Sequence, residues 1–141
     1  MNQPVRLFVY GSLRVGFRDP DYSYLSKYFH LLGEGVAQGK FYFNGSTPVA
    51  VPTDEKLFIT GDLYELNNPD DFKWVIVQLD DYEGLNVEAG EQPLYKRELV
   101  AILINNQPSM AWIYWYNSSV ENMSGLDAAE VAKYLQQQKK T

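Results

Sequence analysis

The residues best suited to chemistry in this chain are the carboxylates of LDDYEGL, which runs from Leu79 to Leu85. The sequence contains no cysteine and a single histidine, His30. Thiolate catalysis and cysteine-based zinc sites are therefore excluded, and acid–base chemistry falls mainly to carboxylates. His30 lies in SKYFHLLGEG, where no serine or carboxylate pattern suggests a base, and it is predicted to be a surface or helix-end residue.

The acids of this segment fall where a helix is predicted to end, at the negative end of the helix macrodipole. A carboxylate there costs ~0.3–1 kcal/mol, and lysine or arginine is the expected choice. Two interpretations stay open. The acids are solvated at a frayed helix end, or Glu83 transfers protons, with its pKa raised by the helix end and by Asp80 and Asp81. The second agrees with the tendency of sequences to break local rules where function requires it.

The helix that positions these acids is predicted from NNPDDFKWVIVQLDDYEG. Asn68 is a suitable N-cap, Pro69 fits the first turn, and Gly84 is the natural residue after the last turn. Between them, apolar residues recur at helical spacing on one face: Phe72, Val75, Ile76 and Leu79.

The remaining elements are mostly strands. We predict strands at VRLFVY (5–10), GEGVAQGKFYF (33–43), LFITGDLYEL (57–66, bent or bulged near Gly61), YKRELVAILI (95–104) and SMAWIYWYN (109–117). The last two are predicted to form a hairpin through NNQP, and NGSTPVAVP (44–52) is predicted to be a loop. Helices are predicted to start at Asp19-Pro20 and to span GLDAAEVAKYLQQQKK (125–140). This order indicates one α+β domain over residues 1–141, built on a curled sheet or small barrel.

A second segment with chemical potential is YGSL, Tyr10–Leu13, which places a glycine turn directly after the first strand. The backbone N–H groups of such a turn can converge on an anion, provided that no side chain blocks the approach. Arg14 adds a positive charge beside it. An ordinary strand-ending turn remains the alternative.

The charge of the chain limits its partners. The formal net charge is −6 with no lysine or arginine cluster, which argues against nucleic acid and anionic membranes. There is no 18-residue apolar run and no signal-peptide pattern, so a cytoplasmic protein is expected. The 15% aromatic content, with 11 tyrosines, suits a cavity that needs apolar walls and hydroxyl tips.

Four motifs in order make the chain resemble the gamma-glutamylcyclotransferase family, closest to its gamma-glutamylamine cyclotransferase-like branch. They are Tyr-Gly-Ser-Leu at 10–13 with Arg14 and Gly16, Leu-Asp-Asp-Tyr-Glu-Gly at 79–84, Tyr-x-Arg at 95–97, and Ala-Trp-Ile-Tyr at 111–114. The resemblance covers residues 7–117. Each motif is weak alone, but four in the right order are specific.

The resemblance implies a small mixed β-barrel with flanking helices and a cavity. It also implies an enzyme of the transferase or lyase type, which cyclises the glutamyl group of a small gamma-glutamyl amine or peptide and releases 5-oxoproline and a free amine. By the same resemblance, Glu83 is the general acid/base, and Tyr10, Gly11, Ser12 and Leu13 hold the glutamyl part. Arg14 and Tyr114 are further predicted substrate-binding residues.

The substrate brings its own nucleophile, the α-amine, so no Ser-His or Cys-His pair is needed. We therefore predict an enzyme with no cofactor and no metal, and a small molecule as partner. Proximity in such an intramolecular attack can be worth ~7–11 kcal/mol. Arg97 is either a pocket cation or the partner of a nearby acid.

Two segments depart from the family pattern: Phe17–Tyr24, and Thr47 before Pro48. Both are predicted to border the pocket, so the identity of the leaving amine is left open, as is the oligomeric state. Two other functions stay open as well. One is a non-catalytic domain that senses a gamma-glutamyl metabolite, although binding alone does not need Glu83. The other is a module that self-associates through AWIYWY.

Overall fold

The computed structural model describes residues 4–11, 27–43, 45, 48–82, 93, 95–127, 130–131 and 133, with the backbone alone for residues 81 and 82. Seven strands and two short helical segments lie in these ranges. They are β1 (Arg6–Val9), β2 (Phe29–Phe43), β3 (Pro48–Pro52), β4 (Phe58–Leu66), a 3₁₀ turn (Pro69–Asp71), α1 (Phe72–Tyr82), β5 (Tyr95–Ile104), β6 (Gln107–Tyr116) and β7 (Ser124–Leu126).

Five of the strands close into a barrel in the order β2-β4-β1-β6-β5, with β5 returning to β2 through the pairing of Val36 with Leu103. All the neighbours are antiparallel except β1 and β6, which run parallel at Leu7 and Trp112. β3 and β7 extend the sheet by pairing with the second half of β2. The predicted α+β class and mixed barrel are therefore confirmed.

The alternation of side chains along the strands creates two cores. The barrel interior holds a cluster that includes Phe8, Tyr10, Ile113 and Trp115. The opposite face of β1, β4 and β6 packs against α1, through residues that include Val9, Leu79 and Tyr114. Consecutive residues of β6 thus serve different cores.

α1 begins as the sequence predicts. The Asn68 side chain accepts a hydrogen bond from the Asp70 backbone N–H at 3.1 Å, and Pro69 lies in the first turn. Val75 and Leu79 are almost completely buried against the barrel, whereas Val77 is exposed. The amphipathic period therefore places the last turn of α1 directly on the sheet, and Gly84 lies outside the described residues.

The hairpin of β5 and β6 is also confirmed. Asn105 and Asn106 form its two-residue turn, both with positive φ, at 52° and 62°. Gln107 and Pro108, which the sequence places in the turn, already belong to β6. Two consecutive residues with left-handed backbone match the right-handed twist of the flanking strands.

Two predictions about these elements were wrong. Residues 48–52 form β3 rather than a loop, because they pair with the long β2 strand. The bulge lies in β2 between Leu31 and Gly33, and not near Gly61. Gly61 is required for a different reason: a Cβ there would lie 2.3 Å from the Val9 carbonyl oxygen.

The C-terminal segment starts later than predicted, since Gly125 and Leu126 belong to β7. A capping box follows. Asp127 accepts a hydrogen bond from the Glu130 N–H at 2.8 Å, and the Glu130 carboxylate accepts one from the Asp127 N–H at 3.2 Å. Most of the predicted final helix, and the predicted helix start at Asp19-Pro20, lie outside the described residues.

Candidate active site

Asp80 lies in the last turn of α1 and is bound by the barrel rather than left to solvent. Its Oδ2 lies 3.2 Å from Arg97 Nη1, and its Oδ1 accepts a hydrogen bond from the Tyr114 hydroxyl at 2.8 Å. The Asp80 side chain is 18% exposed. For this acid, the interpretation of a solvated, frayed helix end is wrong.

Arg97 reaches Asp80 from β5. It pairs in register with Tyr114 on β6, and side chains opposite each other on adjacent strands point to the same face, here the one that α1 covers. Its guanidinium also lies 5.0 Å from the ring centre of Trp112, a cation–π contact. Of the two interpretations given for Arg97, the structure supports the partner of a nearby acid.

Arg97 supplies the cation that the sequence of the helix lacks. α1 has no basic residue in its last turn. A guanidinium from β5 offsets both the charge of Asp80 and the negative helix end.

Tyr114 connects this ion pair to the first motif. Its hydroxyl donates to Asp80, and its backbone carbonyl accepts a hydrogen bond from the Tyr10 hydroxyl. The Tyr114 side chain is 2% exposed and belongs to the core under α1. Its role as a substrate-binding residue stays a prediction.

Tyr10 and Gly11 lie at the end of β1. The Tyr10 ring lies in the barrel interior, 6.1 Å from the Trp115 ring. Gly11 has a φ of +57°, which side chains with a branched Cβ rarely adopt. A Cβ at Gly11 would lie 3.9 Å from Phe41, an ordinary contact. Backbone conformation, rather than lack of space, is therefore the reason for glycine here.

The indole N–H of Trp115 is a buried polar group that was not predicted from the sequence. Trp115 is 1% exposed in the barrel interior, and its indole N–H has no hydrogen-bond acceptor among the described residues. Its ring packs so closely on Gly39 that a Cβ there would lie 2.9 Å from it. The only available signal was the alternation of β6, which places Trp115 on the face opposite Tyr114.

The described contacts join residues from all four motifs. Tyr10, in the first motif, donates a hydrogen bond to Tyr114, in the fourth. Asp80, in the second motif, is contacted by Tyr114 and by Arg97, which belongs to the third motif. Glu83, Ser12, Leu13 and Arg14 lie outside the described residues. In the sequence, Asp80 is three positions before Glu83, and Gly11 is adjacent to Ser12.

Other features of the described chain do not contribute to this cluster. A groove of about 420 Å³ is lined by residues of β2, β4 and β7 and by Asp127 and Glu130, and it contains none of the predicted site residues. Within the described ranges, no group of three or more histidine, aspartate or glutamate side chains could hold a metal ion. In the same ranges, no helix has the length and apolar character needed to span a membrane.

His30 is exposed on β2. Its Nδ1 lies 2.7 Å from Asn67 Oδ1, and its Nε2 lies 3.5 Å from Glu65. This agrees with the prediction of a surface residue.

Comparison with known proteins identifies the family. The model of the family described as gamma-glutamyl cyclotransferase, AIG2-like, matches residues 7–136. The chain belongs to this family. No curated protein matches the sequence.

Solved structures agree with the fold. YkqA from Bacillus subtilis is 20% identical with a TM-score of 0.64, over 99% of this chain and 44% of that protein, so the chain spans less than half of YkqA. Protein ytfP from Escherichia coli is 26% identical with a TM-score of 0.57, over 88% and 93% of the two chains. A protein named gamma-glutamyl cyclotransferase is 10% identical with a TM-score of 0.56, over 87% and 70%.

Proposed function

We propose that the protein is a gamma-glutamyl cyclotransferase acting on a small gamma-glutamyl amine or peptide. The α-amine of the glutamyl group attacks its own γ-carbonyl carbon, the bond from that carbon to the leaving nitrogen breaks, and 5-oxoproline and a free amine result. Glu83 removes one proton from the α-ammonium group before the attack and a second from the same nitrogen as the ring closes, and it passes both to the leaving nitrogen, which departs as an ammonium group. Atoms and charges balance without water or another reactant.

The observation that carries the proposal is the meeting of the four motifs around Asp80 and Tyr114. Contacts between Tyr10, Tyr114, Asp80 and Arg97 join the end of β1 to the last turn of α1. This arrangement supports a site in which a turn after Gly11 binds the substrate and an acid after Tyr82 moves protons. A family match over residues 7–136 supports the reaction class.

In this proposal, the turn at Tyr10, Gly11, Ser12 and Leu13 binds the glutamyl part through backbone N–H groups, and Arg14 attracts its α-carboxylate. Such donors also stabilise the negative charge that develops on the γ-carbonyl oxygen during attack. The Trp115 indole N–H is a further candidate donor, since it is buried beside Tyr10 without an acceptor in the described part of the chain. Tyr114 is proposed to border the same site.

A substrate panel tests the proposal. The protein is incubated with gamma-glutamyl amines and gamma-glutamyl dipeptides, and 5-oxoproline is measured by mass spectrometry, with and without a chelator. We expect 5-oxoproline from at least one member, with the same rate in both conditions. Activity lost to the chelator and restored by a divalent metal contradicts the proposed mechanism.

The panel also separates this proposal from a sensor. A ligand that binds in calorimetry but yields no 5-oxoproline from any panel member would indicate the non-catalytic alternative. The leaving group is the variable part of the panel because Phe17–Tyr24 and Thr47 depart from the family pattern.

A further inference from the structure

The last turn of α1 is fixed to the barrel at a single acid by two donors from different strands. Arg97 on β5 and Tyr114 on β6 both bind the carboxylate of Asp80, at 3.2 Å and 2.8 Å. The three side chains are at most 26% exposed. An ordinary packed helix end does not require two charge-assisted hydrogen bonds to one acid that the helix dipole disfavours.

The covalent geometry connects this anchor to the proposed base. α1 is described through Tyr82, and Glu83 is the next residue in the sequence. A shift or rotation of the last turn therefore moves the point from which Glu83 starts. A displacement of about 1 Å in a reacting group can cost about 10²-fold in rate.

We propose that Arg97 and Tyr114 are positioning residues, which fix the site of Glu83 by holding Asp80 against the barrel; this inference rests on the proposed function. Arg97 is itself fixed by its contact with Trp112, so the guanidinium is held from two sides. Tyr114 is fixed by burial, and its carbonyl accepts the Tyr10 hydroxyl. The same residue thus joins the acid-bearing helix end to the strand that leads into the substrate-binding turn.

A matched control exists in the same barrel. Arg6 on β1 lies 3.1 Å from Glu65 on β4, with side-chain exposures of 30% and 25%, close to the 26% and 18% of Arg97 and Asp80. This second pair joins two strands and contacts no residue of α1 among the described contacts. Loss of either arginine removes a comparable ion pair, but only one loss releases the helix end.

The experiment compares Arg97→Gln with Arg6→Gln on the best substrate of the panel, with kcat, KM and melting temperature measured for both. We expect both variants to lose about 2–6 °C in melting temperature. Arg97→Gln is expected to lower kcat about 10–100-fold and to leave KM within about threefold, since misplacement of the base affects the transition state more than ground-state binding. Arg6→Gln is expected to keep kcat within about twofold.

Two milder variants keep the test valid if Arg97→Gln does not fold. Tyr114→Phe removes one hydroxyl and is expected to lower kcat about 3–10-fold. Arg97→Lys keeps the charge but loses the planar guanidinium that packs on Trp112. Its kcat is expected to lie between that of Arg97→Gln and that of wild type.

The outcomes distinguish the two proposals. If wild-type protein forms no 5-oxoproline from any panel member, the proposed function fails and this inference fails with it. If wild type turns over and Arg97→Gln, Tyr114→Phe and Arg6→Gln all keep kcat within twofold, or lose it in proportion to melting temperature, the inference alone is overturned.

Discussion

The two ends of the β1–β6 pair each carry an arginine–carboxylate ion pair, and the two pairs differ in what they connect. Because β1 and β6 run parallel, with Leu7 paired to Trp112, Arg6 at the start of β1 lies beside the first half of β6, and Tyr10 just after β1 lies beside the end of β6. At the starts, Arg6 binds Glu65 on β4 and donates to Ser109 on β6 at 2.8 Å. At the ends, Tyr10 contacts Tyr114, which with Arg97 binds Asp80 on the helix.

Ion pairs with similar distances and burial therefore need not have similar roles. The pair at the starts connects strand to strand, within a sheet that backbone hydrogen bonds already hold. The pair at the ends connects a strand to a helix, where side chains alone make the contact. A partly exposed ion pair adds little to the stability of a formed sheet, but it can fix the position of a helix end.

The largest effect is expected when the proposed base, Glu83, is compared with Glu65, the acid of the ion pair at the start of β1. Glu83→Gln keeps size and hydrogen bonding but cannot accept the ammonium proton, so we expect turnover to fall by about 10²–10⁴-fold. Glu65→Gln is expected to keep turnover, with a loss of melting temperature. Both are measured by 5-oxoproline release and thermal melting. Near-normal turnover in Glu83→Gln shows that this residue is not the base.

Asp81→Asn adds a control within the same segment. Loss of one acid at the helix end is expected to stabilise the fold by up to ~1 kcal/mol while most activity remains. Loss of activity and stability together in both Glu83→Gln and Asp81→Asn indicates that these acids are structural.

A smaller effect is expected at the turns. Gly11→Val forces a branched side chain into a φ of +57° and should abolish binding of glutamate-like ligands while the fold is largely kept. Gly45→Val imposes a similar strain at φ +94°, where a Cβ would meet nothing within 4 Å. Isothermal calorimetry with 5-oxoproline and glutamate should detect lost affinity in the first variant alone. Equal affinity in both variants reduces the Gly11 turn to a structural role.

The smallest effect concerns stability. Double-mutant cycles on Arg97 with Asp80, and on Arg6 with Glu65, are expected to give coupling free energies of about 0.5–1.5 kcal/mol each, because both pairs are partly exposed. Chemical denaturation of the single and double variants gives these values. If the coupling free energy of Arg97–Asp80 exceeds that of Arg6–Glu65 by more than about 2 kcal/mol, the two ion pairs do not contribute equally to stability. The kcat values of Arg97→Gln and Arg6→Gln would then have to be compared in a stabilised variant of the protein.

Much of the fold follows from local signals. The Asn68 cap, the apolar period of α1 and the paired asparagines of the hairpin each depend on neighbours in the chain, and all three were predicted correctly. β3 was missed because PVAVP contains two prolines and becomes a strand only beside the long β2. The reason for Gly61 was missed because its close neighbour, the Val9 carbonyl, is far away in sequence.

The candidate site, like the fold, was predicted from the sequence only in part. Its motifs could be found in the sequence, because each is a short run of fixed residue types. The partner of Asp80 could not be chosen, since Arg97 is 17 positions away on a different strand and a pocket cation was an equal interpretation. The buried indole N–H of Trp115, which has no acceptor in the described part of the chain, could not be predicted either, because only the closed barrel buries it.

The acids at the end of α1, and the lack of a basic residue in its last turn, could be predicted from the sequence, since helix period and capping are local properties. A glycine turn at Tyr10–Leu13, after β1, is likewise a prediction from local sequence. How the charge of Asp80 is tolerated at the helix end depends on tertiary contacts, which local sequence does not specify. The pairing of β5 with β6 places Arg97 and Tyr114 beside the end of α1. There the Arg97 guanidinium provides the positive charge that the last turn of α1 lacks, and the Tyr114 hydroxyl donates the hydrogen bond that water would otherwise donate to Asp80.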